Sequence, residues 1–263
     1  EDGRLTLRRF ITANLANREA FQQFSCKYEF WCGVMGPKDR DPELARKNEI
    51  CKVPCRWLVD VSTQLQEMNA DLRTIALNSR NVMPRFVRLE PRTTITPYVV
   101  ATVFVAGQHV LTKSDWDWRI DLLVNEVPEI HATPFNPGFM GFFEAGNPLK
   151  VVLKAIEDGP LVFPVQRALD NGLIRFDCGP KDKESTRFWF DAQPPHLVRR
   201  IEKYRPNGLL WYAVEYEKYV QPAGSKMWFP ERVREIHVWL SDYTLVKEIT
   251  VEEVKLGRPE PFA

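Results

Sequence analysis

From Leu173 onward the sequence repeats one pattern: a short run with alternating apolar and polar side chains, then a turn. The runs read "GLIRFDCG", "TRFWFDA", "HLVRRIEKY", "LLWYAVEYEKYV", "KMWFPERVREIHVWL" and "TLVKEITVEEVKL". Between them stand turn formers, among them Arg205-Pro206-Asn207-Gly208, Gln221-Pro222-Ala223-Gly224 and Ser241-Asp242. Period-two runs with Pro, Gly and Asn between them predict an antiparallel meander. Its faces are unequal. Along "LLWYAVEYEKY", Leu210, Tyr212, Val214 and Tyr216 share the more uniformly apolar face, opposite Trp211, Ala213, Glu215, Glu217 and Tyr219.

The first half is mixed. "LTLRRFITANLANREAFQQF" (5–24) spaces Phe10, Ile11 and Leu15 for a helix with one apolar stripe, broken near Asn17. "FSCKYEFWCGVMG" then switches to period two, with Phe24, Cys26, Tyr28, Phe30 and Cys32 on one face. The charged, proline-bounded stretch 36–54 predicts a surface loop or short helix, and "RWLVDVS" (56–62) a strand. Leu65, Met68, Leu72, Ile75 and Ala76 have helical spacing, which predicts a helix over 63–81. Further strands are expected at 85–91, 94–107 and 108–115, and the alternation in "DWDWRID" (115–121) reads as another. "NPLKVVLKAIEDG" predicts a helix with Asn147 as N-cap, Pro148 in its first turn and Gly159 beyond its end. Together these elements predict an α+β chain built on one large antiparallel sheet. We expect one domain over 1–263, with an insertion at 36–80.

At 263 residues the chain is long enough to bury a substantial core. Its 36 Lys+Arg balance 35 Asp+Glu, so the overall charge does not point to nucleic acid. No run approaches the roughly 18 apolar residues of a membrane helix. The opening "EDGRLTLRRF" fits an exported protein after signal removal, and a trimmed chain would start the same way. Of the five cysteines, Cys26 and Cys32 share one strand. Six residues of strand separate them by about 20 Å, beyond disulfide reach. "CKVPC" (51–55) could close a small loop or reach Cys26 or Cys32, and unpaired buried thiols remain the favoured state. Its spacing does not suit zinc.

No catalytic motif is present: GxSxG, HExxH, GxxxxGK[ST] and GxGxxG are all missing. His109, His131, His196 and His237 are scattered, without a nucleophile or acid at motif spacing, and read as structural. We therefore expect no catalytic residue, no metal site and no cofactor. Arg199, Arg200, Lys203, Arg205, Arg232 and Arg234 could gather into a basic patch, but Glu202, Glu231 and Glu235 nearby favour cross-strand pairs. The loop "TPFNPGFMGFFEAGNP" crowds Phe135, Phe139, Met140, Phe142 and Phe143 among glycines and prolines. Such a loop suits a mobile lid, a plug or a docking surface.

The order of elements, with "RFWFDAQPPHLVRRIEKYRPNG", "YEKYVQPAGSKMWFPERVREI" and "LVKEITVEEVKLGRPEPFA", resembles the lipoprotein-localisation-factor-like superfamily of LolA, LolB and the RseB N-terminal domain. It also resembles secreted planctomycete proteins with a similar leading helix and Phe-rich loop. The resemblance covers roughly 5–35 and 85–263. It implies a strongly curved antiparallel sheet, a half-barrel, with helices covering its concave side. It further implies an exported, non-enzymatic protein that holds a lipid or other apolar ligand, in lipoprotein or lipid trafficking. Phe135, Phe139, Met140, Phe142, Phe143, Leu210, Tyr212, Val214 and Tyr216 are the expected ligand-lining residues, although strand residues of this kind more often pack on helices as plain core. The other readings are an interaction subunit docking on a protein partner in the cell envelope, and an enzyme like VioE of the same superfamily.

Overall fold

In the computed structural model, residues 3–36, 39, 41–60, 65–71, 99–105, 109–113, 118–122, 148–158, 165–179, 183–239 and 243–257 are described. A helix, α1 (Gly3–Glu19), leads into β1 (Gln23–Met35), and a short 3-10 helix (Pro42–Asn48) precedes β2 (Glu49–Asp60). Next come β3 (Leu65–Asp71), β4 (Val99–Val105), β5 (His109–Lys113), β6 (Trp118–Leu122) and the helix α2 (Pro148–Asp158). The run of strands closes with β7 (Val165–Asp170), β8 (Leu173–Cys178), β9 (Ser185–Asp191), β10 (Val198–Tyr204), β11 (Leu210–Val220), β12 (Phe229–Trp239) and β13 (Tyr243–Leu256).

All of these strands form one antiparallel sheet in the order β6-β5-β4-β3-β2-β1-β13-β12-β11-β10-β9-β8-β7. The chain thus grows two meanders, and β1 with β13 joins them at the centre through a ladder that runs from Phe24↔Leu256 to Met35↔Thr244. Among the described strands the order is linear, with β6 and β7 at its two ends. This is the expected α+β half-barrel: a curved, open antiparallel sheet with helices against its concave face.

Helix α1 lies across strands rather than along them. Leu7, Phe10, Ile11 and Leu15 form its buried stripe, at the spacing expected for a helix with one apolar face. The Phe10 ring meets Phe176 of β8 and Phe190 of β9 edge-on, with centroids 5.9 and 5.4 Å away. Further along, Arg18 lies over the Tyr216 ring of β11. The helix runs unbroken through Asn17, where a break was expected, and ends at Glu19; Phe21 then turns towards the strands and packs on Phe24 and Phe229.

Two expectations change. Residues 65–71 are strand β3, not part of a helix: Met68 pairs with Trp57 on one side and Thr102 on the other. Ladders on both edges pair the backbone of a segment whose local apolar spacing is compatible with a helix, and that outweighs a weak propensity. "CKVPC" lies inside β2, not in a loop. Cys51 and Cys55 are therefore about 13 Å apart along the strand and cannot close on each other. The strands expected at 94–107 and 108–115 correspond to β4 and β5, and the helix from Pro148 is α2. The strand expected at 85–91 lies outside the described residues.

The convex face has a small core of its own. The 3-10 helix, capped by Asp41, whose Oδ1 accepts from the Glu43 N–H at 3.0 Å, packs Ala45 onto Trp31, Met35 and Val246. Beside it runs a cross-strand row, Trp189-Arg200-Glu215-Arg234-Glu248-Trp31, with charges of alternating sign between two tryptophans. Arg200 bonds Glu215 at 2.9 Å, and Arg234 Nε bonds Glu248 at 2.7 Å. Of the basic residues read as a possible patch, Arg200, Arg232 and Arg234 are spent here, against carboxylates on neighbouring strands. Among the described residues no helix is long and apolar enough to cross a membrane.

Candidate functional site

Antiparallel partners directly opposite one another share a face, so the register itself maps the concave wall. One row across it reads Tyr216, Val233, Ile249 and Phe30. The next reads Phe188, Ile201, Val214, Glu235, Lys247 and Cys32. A third reads Thr186, Lys203, Tyr212, His237, Leu245 and Val34. The first row is wholly apolar apart from the Tyr216 hydroxyl. The other two carry charge at their middle.

Helix α1 occupies the end of the wall where the first row lies. Two asparagines fasten it there. The Asn14 amide donates to the Phe10 and His196 carbonyls, each at 2.9 Å, and its Oδ1 accepts the Val198 N–H at the start of β10. Asn17 exchanges two bonds of 2.8 Å with the backbone of Trp228, just before β12. His196 stacks on Phe10 with centroids 4.2 Å apart, the structural use expected of it. The Tyr219 hydroxyl donates to the Val198 carbonyl at 2.6 Å, and burial pushes its phenol well above the usual tyrosine range.

At the other end of the wall sits a charged cluster. The Glu235 carboxylate, 3% exposed, receives the His237 ring at 2.7 Å on Oε1 and the Lys247 ammonium at 3.2 Å on Oε2. Burial opposes ionisation of Glu235, but the His237 hydrogen bond and the Lys247 charge outweigh it and hold the carboxyl below its ordinary range. The His237 ring meets the Tyr212 ring edge-on at 4.8 Å. One strand further, the Lys203 ammonium stands 5.3 Å from the Tyr212 centroid and 5.6 Å from that of Trp211. Cys32, buried, is the register partner of Lys247. Cys26, Cys32 and Cys178 are free thiols, and burial raises the Cys178 thiol beyond its usual range.

Of the residues expected to line a ligand, Tyr212, Val214 and Tyr216 are buried on the concave face, and Leu210 is half-buried at the start of β11. Tyr216 lies under α1, with Arg18 Nη2 3.5 Å from its hydroxyl, while Tyr212 and Val214 lie in the rows that carry the charged cluster. Phe135, Phe139, Met140, Phe142 and Phe143 lie outside the described residues. Sequence reasoning missed Glu235, His237 and Lys247 as a group. The signal was parity: Glu235 and His237 alternate in phase with inward Val233, and Lys247 in phase with Leu245 and Ile249. No three His, Cys, Asp or Glu side chains among the described residues are grouped to hold a metal ion.

No protein-family model matches the sequence, and no curated protein matches it. Solved structures do. A domain from Vibrio parahaemolyticus assigned to outer membrane lipoprotein sorting aligns with 95% of this chain and 91% of its own, at 11% identity and a TM-score of 0.52. A LolA superfamily protein from Nitrosomonas europaea aligns over 95% and 94% at 12% identity, with a TM-score of 0.48. A DUF1329 family protein from Desulfovibrio piger aligns over 97% and 94% at 7% identity, with a TM-score of 0.49. The fold is that of the lipoprotein-localisation-factor-like half-barrel, as the order of elements implied.

Proposed function

We propose that this protein is an exported, non-enzymatic carrier that holds the apolar part of a lipid against the concave face of its sheet. The observation that carries this reading is the mismatch between the width of the sheet and the reach of its helices. The sheet order has 13 strands, which at about 4.8 Å per strand spans some 60 Å. Helix α1, with 17 residues, is about 25 Å long, and α2, with 11, about 16 Å. Side chains of α1 meet β8 to β12 and the turns beside them, and Arg8 meets Glu157 of α2 at 3.3 Å. An acyl chain laid against the concave face would gain about 0.8 kcal/mol for each CH₂ it buries.

The test is native mass spectrometry of the purified full chain, followed by organic extraction. Co-purifying lipid, or saturable binding of 1-N-phenylnaphthylamine by the extracted protein, is the expected result. A chain that carries no lipid and leaves the probe dark overturns the reading.

A further inference from the structure

We propose that Cys32 and Cys51 close a disulfide across the β1–β2 ladder when the chain folds under oxidising conditions. This goes beyond the lipid reading and shares with it only the export that supplies an oxidant. The two cysteines are register partners, directly opposite one another on neighbouring antiparallel strands. Such partners have Cα atoms about 4.5 or 5.5 Å apart, depending on whether the pair exchanges hydrogen bonds. Both spacings fall inside the range of about 4.4–6.8 Å that a disulfide spans. The other cysteines are out of line. Cys26 shares β1 with Cys32, and Cys55 shares β2 with Cys51. Cys26 opposes Trp57 and Cys55 opposes Tyr28, which makes Cys26 and Cys55 diagonal neighbours about 7–8 Å apart. Beyond about 7 Å no bridge forms without backbone movement. The pairs Cys26 with Cys51 and Cys32 with Cys55 are further out of register still. Cys178 lies on β8, with β9 to β13 between it and β1.

The ladder itself gives the bond a role. Pairing runs in register from Gln23↔Asp60 to Cys32↔Cys51, and the next pair is Gly33↔Glu49, so Ile50 is an extra residue, a bulge. Cys32 and Cys51 are thus the last regular pair before a slip. Strands β3 to β6 join the rest of the sheet through β2 and its ladder to β1. The 3-10 helix, which packs on Trp31 and Met35, belongs to the connection between the same two cysteines. A covalent bond at this point fixes the register and closes the loop that contains that helix. Cys32 is a free thiol in the structure, 7% exposed, so the bond forms during folding, before β1 is covered. The oxidant is a disulfide, either oxidised glutathione or a disulfide-bearing oxidoreductase. One cysteine thiolate attacks it, forms a mixed disulfide and displaces one thiol. The second cysteine attacks the sulfur of the first and displaces the other. Two electrons and two protons pass to the oxidant, whose S–S bond becomes two S–H bonds.

The test is refolding of the reduced full chain in a buffer of reduced and oxidised glutathione, then alkylation with iodoacetamide and peptide mass mapping. The expected product has one disulfide, between Cys32 and Cys51, with Cys26, Cys55 and Cys178 alkylated. Reducing that bond should raise the unfolded-to-folded ratio on the order of 100-fold in urea, as loss of a loop-closing disulfide does. In Cys51→Ala the same reduction should change nothing. Alkylation of all the cysteines, or a bond between any other two, overturns the pairing. A mapped Cys32–Cys51 bond whose reduction leaves the urea midpoint unmoved overturns its part in holding the register. Because the oxidant is supplied, these outcomes bear on the pairing and leave export and the lipid reading untouched. Mapping reads the wild-type bond directly, so the matter is decided even where Cys51→Ala does not fold.

Discussion

Asn17 and Trp228 exchange two hydrogen bonds of 2.8 Å, Asn17 Nδ2 donating to the Trp228 carbonyl and the Trp228 N–H donating to Asn17 Oδ1. A helix side chain here plays the part of a strand neighbour for backbone that has left the ladder. Asn14 does the same for Val198, and because it is itself buried, at 4% exposure, it is the costlier to lose. Truncation leaves sheet backbone groups without partners under the helix, each with a penalty of about 1–3 kcal/mol. Asn14→Ala should lose about 2–3 kcal/mol and Asn17→Ala about 1–2 kcal/mol in urea unfolding. Equal, negligible losses would mean that α1 is held by its apolar stripe alone.

Glu248 makes a second prediction, on the opposite face. It is buried, yet three arginines converge on it: Arg234 Nε at 2.7 Å, Arg232 Nη2 at 3.4 Å, and Arg46 in a short contact. Arg234 is half-desolvated itself, and the carboxylates around it, after offsetting its burial, raise its pKa above the usual arginine value. Removing one partner of a buried pair costs about 3–5 kcal/mol. Arg46 and Arg232 are more exposed, so we expect Glu248→Ala to fall near the lower end, about 3 kcal/mol, in thermal or urea unfolding. Glu248→Leu should lose less, since a leucine fills the site without leaving a truncated pocket.

Much of this could be read before any coordinates. The period-two runs predicted the second meander from Leu173 onward strand by strand, because each turn between them contains its own signal in Pro, Gly, Asn, Ser or Asp. Phe24, Cys26, Tyr28, Phe30 and Cys32 were legible as one buried face for the same reason. Strand β7 was not, since "VQRALD" alternates weakly and Leu169 is 75% exposed. Strand β3 was misread because Leu65 and Met68 satisfy a three-residue spacing while their true constraint is the pairing to β2 and β4. The charged cluster runs against the usual outward placement of charge on a strand, although Glu235 shares the parity of Val233 and the register points it inward with Val233 and not with Arg234.

Gly33 is a third point of leverage. A Cβ there would sit 2.5 Å from the Ala45 carbonyl oxygen and 2.6 Å from the Trp31 ring. The glycine therefore lets the 3-10 helix close on β1, next to the irregularity in the β1–β2 ladder between Cys32 and Gly33. Backbone oxygen cannot swing aside as a flexible side chain can. Gly33→Ala should cost about 1–3 kcal/mol through overpacking. It should also loosen Trp31, whose Nε1 donates to Glu49 at 2.6 Å and whose ring lies under Arg46 at 4.1 Å. Raised quenching of tryptophan fluorescence by acrylamide, together with the stability loss, is the expected signature. A variant as stable as wild type would show that the 3-10 helix can lift without penalty.

The last prediction concerns acid. Burial alone would raise the Glu235 carboxyl, yet the His237 bond and the Lys247 charge bring its net pKa below that of an unfolded glutamate. The folded state therefore binds the proton less readily than the unfolded state. Such a group adds stability above the unfolded carboxylate value, near pH 4.3, and loses it as pH falls through the lower, folded value. Stability curves in urea from pH 7 down to pH 3 for wild type and Glu235→Gln should diverge most at neutral pH. Their separation should shrink as the solution becomes more acidic than the ordinary glutamate range, because protonated Glu235 and glutamine then present similar neutral groups to Lys247. Among the described residues the other charged or titratable groups in these concave rows are Lys203, Tyr212, Tyr216, His237, Lys247 and the Cys32 thiol. Of these, His237 and Lys247 touch Glu235 directly, so the experiment is repeated in His237→Gln to separate the histidine's share. A separation that widens towards acid would mean that burial dominates and that the carboxyl is raised, reversing the sign of the cluster's electrostatics.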